Sequence, residues 1–327
     1  MKAIVVTETG DPQVMSLTDV PDPRIGPAQV LVDVAACGVN YIDTYQRSGT
    51  YTVQTPFTPG LEGAGVVAAV GADVDWAAPG DRVAWCSTAG SYAERVTLSR
   101  EDCYRVPEAV DLDVAAALML QGLTAHYLSA SSFPLHPGQT ALVHAGAGGV
   151  GLLLTQLAVA RGARVITTVS SDEKEQLSRA AGAADVIRYE RFRDMASELP
   201  RAVRELTDGV GVEVVYDGVG ASTFDGSLDS LAVRGTMVLF GGASGQVPDF
   251  NLQRLNRGGS LSITRPSMGH FLRTDEERAW RAGDLFSAVA AGELDVRIGA
   301  TFPLAEAVAA HEALQGRRTT GKVLLHP

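Results

Sequence analysis

The segment Thr140–Gly162, TALVHAGAGGVGLLLTQLAVARG, constrains this chain more than any other. A short apolar run, Thr140–His144, leads directly into Gly146-Ala147-Gly148-Gly149-Val150-Gly151, a G-x-G-x-x-G. A helical stretch follows over 149–161, and then a β-rich run, Ala163–Val169. Strand, glycine turn, helix and strand in that order are the setting in which this motif binds a dinucleotide. Bare glycine backbone lets N–H groups approach a pyrophosphate, and the helix N-terminus presents partial positive charge to it. Gly151 is expected to let the helix pack closely. His144, at the end of the strand, is expected near any bound cofactor.

Beyond Thr140 the alternation continues. Strands are expected at 140–144, 164–169, 185–188, 213–217, 236–240 and 260–264, with helices at 149–161, 172–181, 195–207 and 222–232. Such βαβ alternation predicts a parallel sheet, and six strands complete a doubly wound Rossmann sheet. The first ~120 residues read differently. Short apolar runs, Ala3–Val6, Val30–Ala36, Gly65–Val70, Arg82–Trp85 and Tyr92–Leu98, are separated by turn signals such as Ala78-Pro-Gly-Asp81, which suits a small β-barrel. Asn40–Arg47 reads as a short helix within it, and Leu112–Leu128 as a helix leading into the next domain. In the tail, helices are expected at 276–291 and 304–315. The closing run Lys322–Leu325 is expected to rejoin the barrel.

Bulk properties remove several function classes. The 327 residues are 46% hydrophobic, ample for two domains, and carry a net charge of −11. No Lys/Arg cluster supports a nucleic-acid or anionic-membrane surface. No run reaches the ~18 apolar residues of a membrane span. MKAIVVTETG does not read as a signal peptide, so a cytoplasmic protein without membrane insertion is expected. Cys37, Cys86 and Cys103 form no CxxC, and the six histidines form no HExxH, so no metal site is expected.

The domain order, β-barrel then late Rossmann domain then return to the barrel, resembles the medium-chain dehydrogenase/reductase superfamily. Within it the chain is similar to the zeta-crystallin-like NADPH:quinone oxidoreductases of bacteria. The resemblance rests on Gly38-Val-Asn-Tyr-Ile-Asp-Thr-Tyr-Gln-Arg-Ser-Gly49, Pro59-Gly-Leu-Glu-Gly-Ala-Gly65, Ala78-Pro-Gly-Asp-Arg-Val83 and Gln121-Gly-Leu-Thr-Ala125. Downstream it rests on the glycine turn, Tyr216-Asp-Gly-Val-Gly220, Phe240-Gly241 and Ile263-Thr-Arg-Pro-Ser267. It implies an α/β chain with a GroES-like catalytic domain at 1–122 and 266–327 and a Rossmann domain at 123–265. Zinc alcohol dehydrogenases of the superfamily hold their catalytic metal with Cys, His and Cys. Asn40, Leu61 and about Gln121 stand at those positions here and suit no zinc ion. A zinc-free enzyme has no Lewis acid for alcohol oxidation, so an acceptor needing little activation, a quinone or conjugated enone, is implied.

Cofactor choice is expected at the tip of the second Rossmann strand, where an acidic residue would favour NAD. The tip here is Ser170-Ser171, which leaves room for a 2′-phosphate, and Lys174 follows to supply charge. Asp172-Glu173 oppose a phosphate unless they serve as first-turn helix residues capped by Ser171. NADPH is therefore expected, with Tyr189 and Arg317 closing over the phosphate by resemblance. Resemblance also assigns Thr124, Phe240 and Gly241 to the nicotinamide, with Asn40, Tyr45 and Tyr51 at the reaction site. Asn40 would hydrogen-bond cofactor or quinone oxygen, and the tyrosines would stack on the acceptor, donate a proton or simply pack. Asp43 would orient the loop, and Arg265 would either reach the pocket or lie at the surface. The implied activity is zinc-free NADPH:quinone reduction of a small-molecule quinone or enone; the alternatives are a zinc-free enone or enoyl reductase and a crystallin-like nucleotide- or RNA-binding protein. The family further implies a homodimer.

Overall fold

From Thr140 onward the computed structural model, which describes residues 1–327, contains a six-stranded sheet that is parallel throughout. Its strands are Thr140–Val143, Arg164–Val169, Asp185–Arg188, Val212–Asp217, Leu231–Leu239 and Ser262–Thr264. Numbered one to six in chain order, they lie in the order 3-2-1-4-5-6. The order reverses between the first and fourth strands, which is where such sheets bind ligands beyond their carboxyl ends. The core is built from residues such as Leu142, Ile166, Val215 and Met237 on strands and Leu199, Val203 and Leu228 on helices.

The expected helix at 222–232 is shorter, Phe224–Asp229, and the fifth strand begins at Leu231. The Ala-Val-Arg-Gly stretch after it is strand with an irregularity. Pairing shifts between Val212 opposite Leu231 and Val214 opposite Thr236, and Arg234 takes a positive φ of 66°. The sequence of 222–232 cannot reveal such a bulge, because its cause is the pairing partner.

The barrel sheet runs Ile298–Pro303, Lys322–His326, Val30–Val39, Glu62–Val70, Arg82–Trp85 and Cys103–Arg105, with Arg95–Leu98 also pairing Val30–Val39. The closing strand therefore does rejoin the barrel, with Val323 opposite Val39 and Leu325 opposite Cys37. Two of these strands are longer than the apolar runs suggest. The run expected from Gly65 begins at Glu62, so Gly63 and Gly65 are both inside the strand Glu62–Val70. A Cβ on Gly63 would lie 2.4 Å from the Trp85 ring, and one on Gly65 would lie 2.1 Å from the Asp33 carbonyl oxygen. They are glycines because neighbours approach closely, not because the chain turns. Met15–Asp19, Cys103–Arg105 and Ile298–Pro303 lack a clear apolar signature, being short or largely unburied.

Contacts divide the chain into one unit of Met1–Gln121 with Ala282–Pro327 and a second of Gly122–Arg281. The later division falls inside the helix Asp275–Ala290, past the position 265/266 suggested by sequence. Arg281 belongs to the second unit through hydrogen bonds to the Phe271 carbonyl, the His126 ring and the Ser131 hydroxyl.

Candidate functional site

Because the second unit's sheet is parallel, the carboxyl ends of its strands share one edge. The glycine turn follows the first strand, Ser170 the second, Tyr189 the third, Asp217-Gly218 the fourth and Phe240-Gly241 the fifth. The glycines of the turn have separate tasks. A Cβ on Gly146 would meet Thr167 Cβ at 2.5 Å and Ser178 Oγ at 2.8 Å. One on Gly151 would lie 2.2 Å from the Ala145 carbonyl oxygen, so close packing of the turn on the helix requires bare backbone. At Gly148, the residue preceding the helix Gly149–Ala160, a Cβ meets nothing nearer than the Ala145 carbonyl oxygen at 3.2 Å. Gly146 and Gly151 thus shape the turn, while Gly148 leaves open the backbone next to the helix N-terminus. That cradle fits a pyrophosphate.

His144 is buried and engaged on both ring nitrogens, 2.9 Å from the Thr168 hydroxyl and 2.8 Å from that of Ser227. Ser227 donates to Asp217, so the network assigns the proton to Nε2. Burial pushes the imidazole below its ordinary pKa, partly opposed by Asp217. Asp217 also accepts from the Val219 and Gly220 amides and the Thr223 hydroxyl. His144 therefore braces the fourth strand's loop rather than offering a nitrogen to a ligand. That loop packs on the fifth strand's loop: a Cβ on Gly241 would lie 2.3 Å from the Gly218 carbonyl oxygen. Thr124 is buried on the helix Leu112–Tyr127, with Oγ1 3.9 Å from Met268 Sδ.

At the second strand's tip, Ser171 caps the helix Asp172–Ala180 by accepting from the Lys174 amide at 3.3 Å. Asp172 is a first-turn residue and pairs with Arg188, whose guanidinium holds its carboxyl below the ordinary carboxylate range. Lys174 lies in that same first turn. No carboxylate occupies the tip itself, so the residues fit a phosphorylated ribose. Arg265 is exposed.

The first unit holds Asn40, Tyr45, Tyr51 and Arg317. Asn40 precedes the helix Tyr41–Ser48, and Asp43 accepts from its backbone N–H at 2.8 Å. Asp43 thereby orients the loop. Tyr45 and Tyr51 pack with ring centroids 5.3 Å apart and planes tilted by 57°, and Tyr51 is 39% exposed. Arg317 is exposed in the turn before the last strand, with a positive φ of 56°.

Sequence reasoning missed what surrounds Asn40. Its amide Nδ2 donates to Glu62 at 2.8 Å and to the Gly38 carbonyl at 3.3 Å. Its Oδ1 accepts from Lys322 Nζ at 2.8 Å, with Gln121 Nε2 at 3.5 Å. Glu62 and Lys322 form a fully buried ion pair, and Glu62 also accepts from the Leu120 amide at 2.6 Å. Gly38 makes room for them: a Cβ there would lie 2.4 Å from Glu62 Oε2 and 2.7 Å from Lys322 Cε. So Asn40 and Gln121, two of the three zinc-position residues, do meet. Amides beside an ammonium do not suit zinc, and no group of three His, Cys, Asp or Glu could hold a metal. One signal was present in the sequence: Lys322 is a lone charge heading an apolar strand.

A second buried chain lies behind Asp43. Tyr92 donates to Asp43 at 2.9 Å, and His311 Nε2 lies 3.1 Å from the Tyr92 hydroxyl. Burial pushes Asp43 up to about 7. Burial, aided by the charge of Arg47, pushes His311 down to about 3.

Two family models match the chain: an alcohol dehydrogenase GroES-like domain over residues 26–108 and a zinc-binding dehydrogenase domain over 149–284. A quinone oxidoreductase of Pseudomonas aeruginosa is 43% identical, covering 100% of this chain and 99% of the relative. A mycobacterial protein solved in complex with NADPH superposes with a TM-score of 0.96 at 51% identity, covering 100% of both chains. Quinone oxidoreductase of Escherichia coli, also complexed with NADPH, superposes with a TM-score of 0.96 at 38% identity, again over 100% of both.

Proposed function

The chain belongs to the quinone oxidoreductase family of the medium-chain dehydrogenase/reductase superfamily, and on that premise we propose that it is an NADPH-dependent quinone reductase. One observation carries the cofactor half: a glycine turn stands where the strand order reverses, beside a strand tip made of serines and followed by Lys174. When bound, the nicotinamide supplies the reducing equivalents. The amides around Gly148 and the helix N-terminus bind the pyrophosphate. Lys174 binds the 2′-phosphate. Tyr189 and Arg317 join it on the family resemblance alone, as do Thr124, Phe240 and Gly241 at the nicotinamide.

On the acceptor side the reading assigns Asn40, Tyr45 and Tyr51. The paired tyrosine rings suit stacking on a planar acceptor, and their hydroxyls donate to its oxygen. Lys322 and Glu62 hold the Asn40 amide in one orientation, with oxygen toward the ammonium and nitrogen toward the carboxylate. A quinone needs no Lewis acid. Orientation and exclusion of water then supply the rate, and the proton comes from a tyrosine or from solvent. Steady-state oxidation of NADPH and NADH against a panel of quinones and conjugated enones tests this. Quinone turnover favouring NADPH is expected, and turnover of enones alone would overturn it.

The homodimer is proposed from the family resemblance, with the outer edge of Ser262–Thr264, last in its sheet, as the seam. A one-chain mass by light scattering at micromolar concentration would rule it out. A cytoplasmic location is proposed from the three free cysteines, which suit a reducing compartment. No helix is long and apolar enough to cross a membrane.

A further inference from the structure

We propose that Arg188 sets the cofactor preference of this chain by masking Asp172, so that a strand tip flanked by carboxylates still accepts a 2′-phosphate. The inference rests on the reading that NADPH lies along Ser170–Lys174. Parallel pairing sets Arg188 opposite Val169, the residue before Ser170. From that position its Nη1 binds Asp172, its Nη2 binds Glu190 at 2.5 Å, and Glu175 lies 3.6 Å from Nη1. The arginine side chain is 12% exposed while that of Asp172 is 86% exposed. The cation is thus packed in place, and the carboxylate it restrains faces solvent at the first turn of the helix.

Without Arg188, Asp172, one residue past Ser171, would lose its ion-pair partner and keep only the more distant charge of Arg191. A carboxylate in that neighbourhood acts twice on cofactor choice. It repels a phosphate, and it can accept from the adenosine ribose hydroxyls that NADH leaves free. Glu175 would keep Arg179 at 2.9 Å and Glu190 would keep Arg191 at 3.8 Å, so the loss falls chiefly on Asp172. One side chain on the third strand therefore decides how the second strand's tip reads its cofactor, without being assigned any contact to it.

The test measures dissociation constants for NADPH and NADH by fluorescence titration, with no acceptor present. Arg188→Gln is expected to weaken NADPH about ten-fold, or about 1.4 kcal/mol, and to leave NADH unchanged or tighter. Arg188→Gln combined with Asp172→Asn is expected to restore NADPH to within about three-fold of wild type. Arg188→Lys, which keeps the charge, is expected to retain most of the preference. Unchanged NADPH binding in Arg188→Gln would overturn the proposal. So would equal weakening of both cofactors, or a double variant no better than the single one. Failure of the underlying reading looks different: wild type would bind NADH as tightly as NADPH, and Lys174→Ala would leave both constants unmoved.

Discussion

The glycine turn and the Asn40 pocket are built in opposite ways. The turn is backbone: residues 146–151 are contiguous, and Gly146 and Gly151 carry no side chain where packing leaves no space, while Gly148 keeps backbone open where the proposed cofactor would lie. The pocket is side chain: Asn40, Glu62, Tyr92, His311 and Lys322 converge from segments up to 282 positions apart, all buried. Substitution in the turn should therefore separate binding from folding glycine by glycine. Substitution in the pocket should disturb both together, because each group there satisfies another.

The largest effect is expected at Lys322. Lys322→Met leaves Glu62 charged and buried without its cation, which costs about 3–5 kcal/mol of stability. Urea unfolding checks this, and Glu62→Gln in the same chain should recover much of the loss. A loss under about 1 kcal/mol would mean that the pair is not the desolvated one described.

Within the turn, Gly148→Val should weaken NADPH by about 2 kcal/mol, roughly thirty-fold, with the unfolding midpoint held. Gly146→Val should instead lower stability by about 1–3 kcal/mol, because its side chain meets Thr167 and Ser178. If both variants lose stability equally, the division of labour among the glycines fails.

Lys174→Ala should weaken NADPH about ten-fold and barely touch NADH, since a half-buried charge-assisted contact to phosphate contributes on the order of 1.5 kcal/mol. Ser170→Asp should move preference further toward NADH. Kinetics with both cofactors and one fixed quinone read the ratio.

The smallest effect in the wild type is a pair of opposed slopes. Asp43 titrates near 7 folded and near 3.8 unfolded, so the folded state holds the extra proton and stability from this group falls as pH rises through that window. His311 titrates near 3 folded and 6.5 unfolded, so the unfolded state holds the extra proton and stability from this group falls as pH drops through its window. The two oppose one another between about pH 4 and 6.5. His311→Gln should unmask a decline with rising pH, and Asp43→Asn a decline with falling pH, each at most about 1.4 kcal/mol per pH unit. Unfolding midpoints from pH 4 to 7 measure both, and slopes of the same sign would break the assignment.

The six strands and most helices of the second unit were legible because their signals are local. Apolar period, glycine spacing and cap residues such as Ser171 lie within one element each. The same locality misplaced the fifth strand's start, where the bulge at Arg234 depends on its partner. It also started the strand Glu62–Val70 three residues late, because what makes room for Gly63 and Gly65 in it is the Trp85 ring and the Asp33 carbonyl of neighbouring strands. Asp172 looked like an obstacle to a phosphate, because Arg188 is a neighbour only across the sheet.

The order of the two architectures, the position of the glycine turn, the serine tip beside it and the helix that starts after Asn40 were all written in the chain itself. Those follow from residues within one helical turn or one strand of each other. Only the tertiary structure decided what Asn40 touches. Gly38 pairs with Glu62 on one side and with Leu324 on the other, and that register brings a carboxylate and the Lys322 ammonium to the same amide. Register is a property of paired strands, set by packing across the barrel, and one chain segment read alone does not contain it.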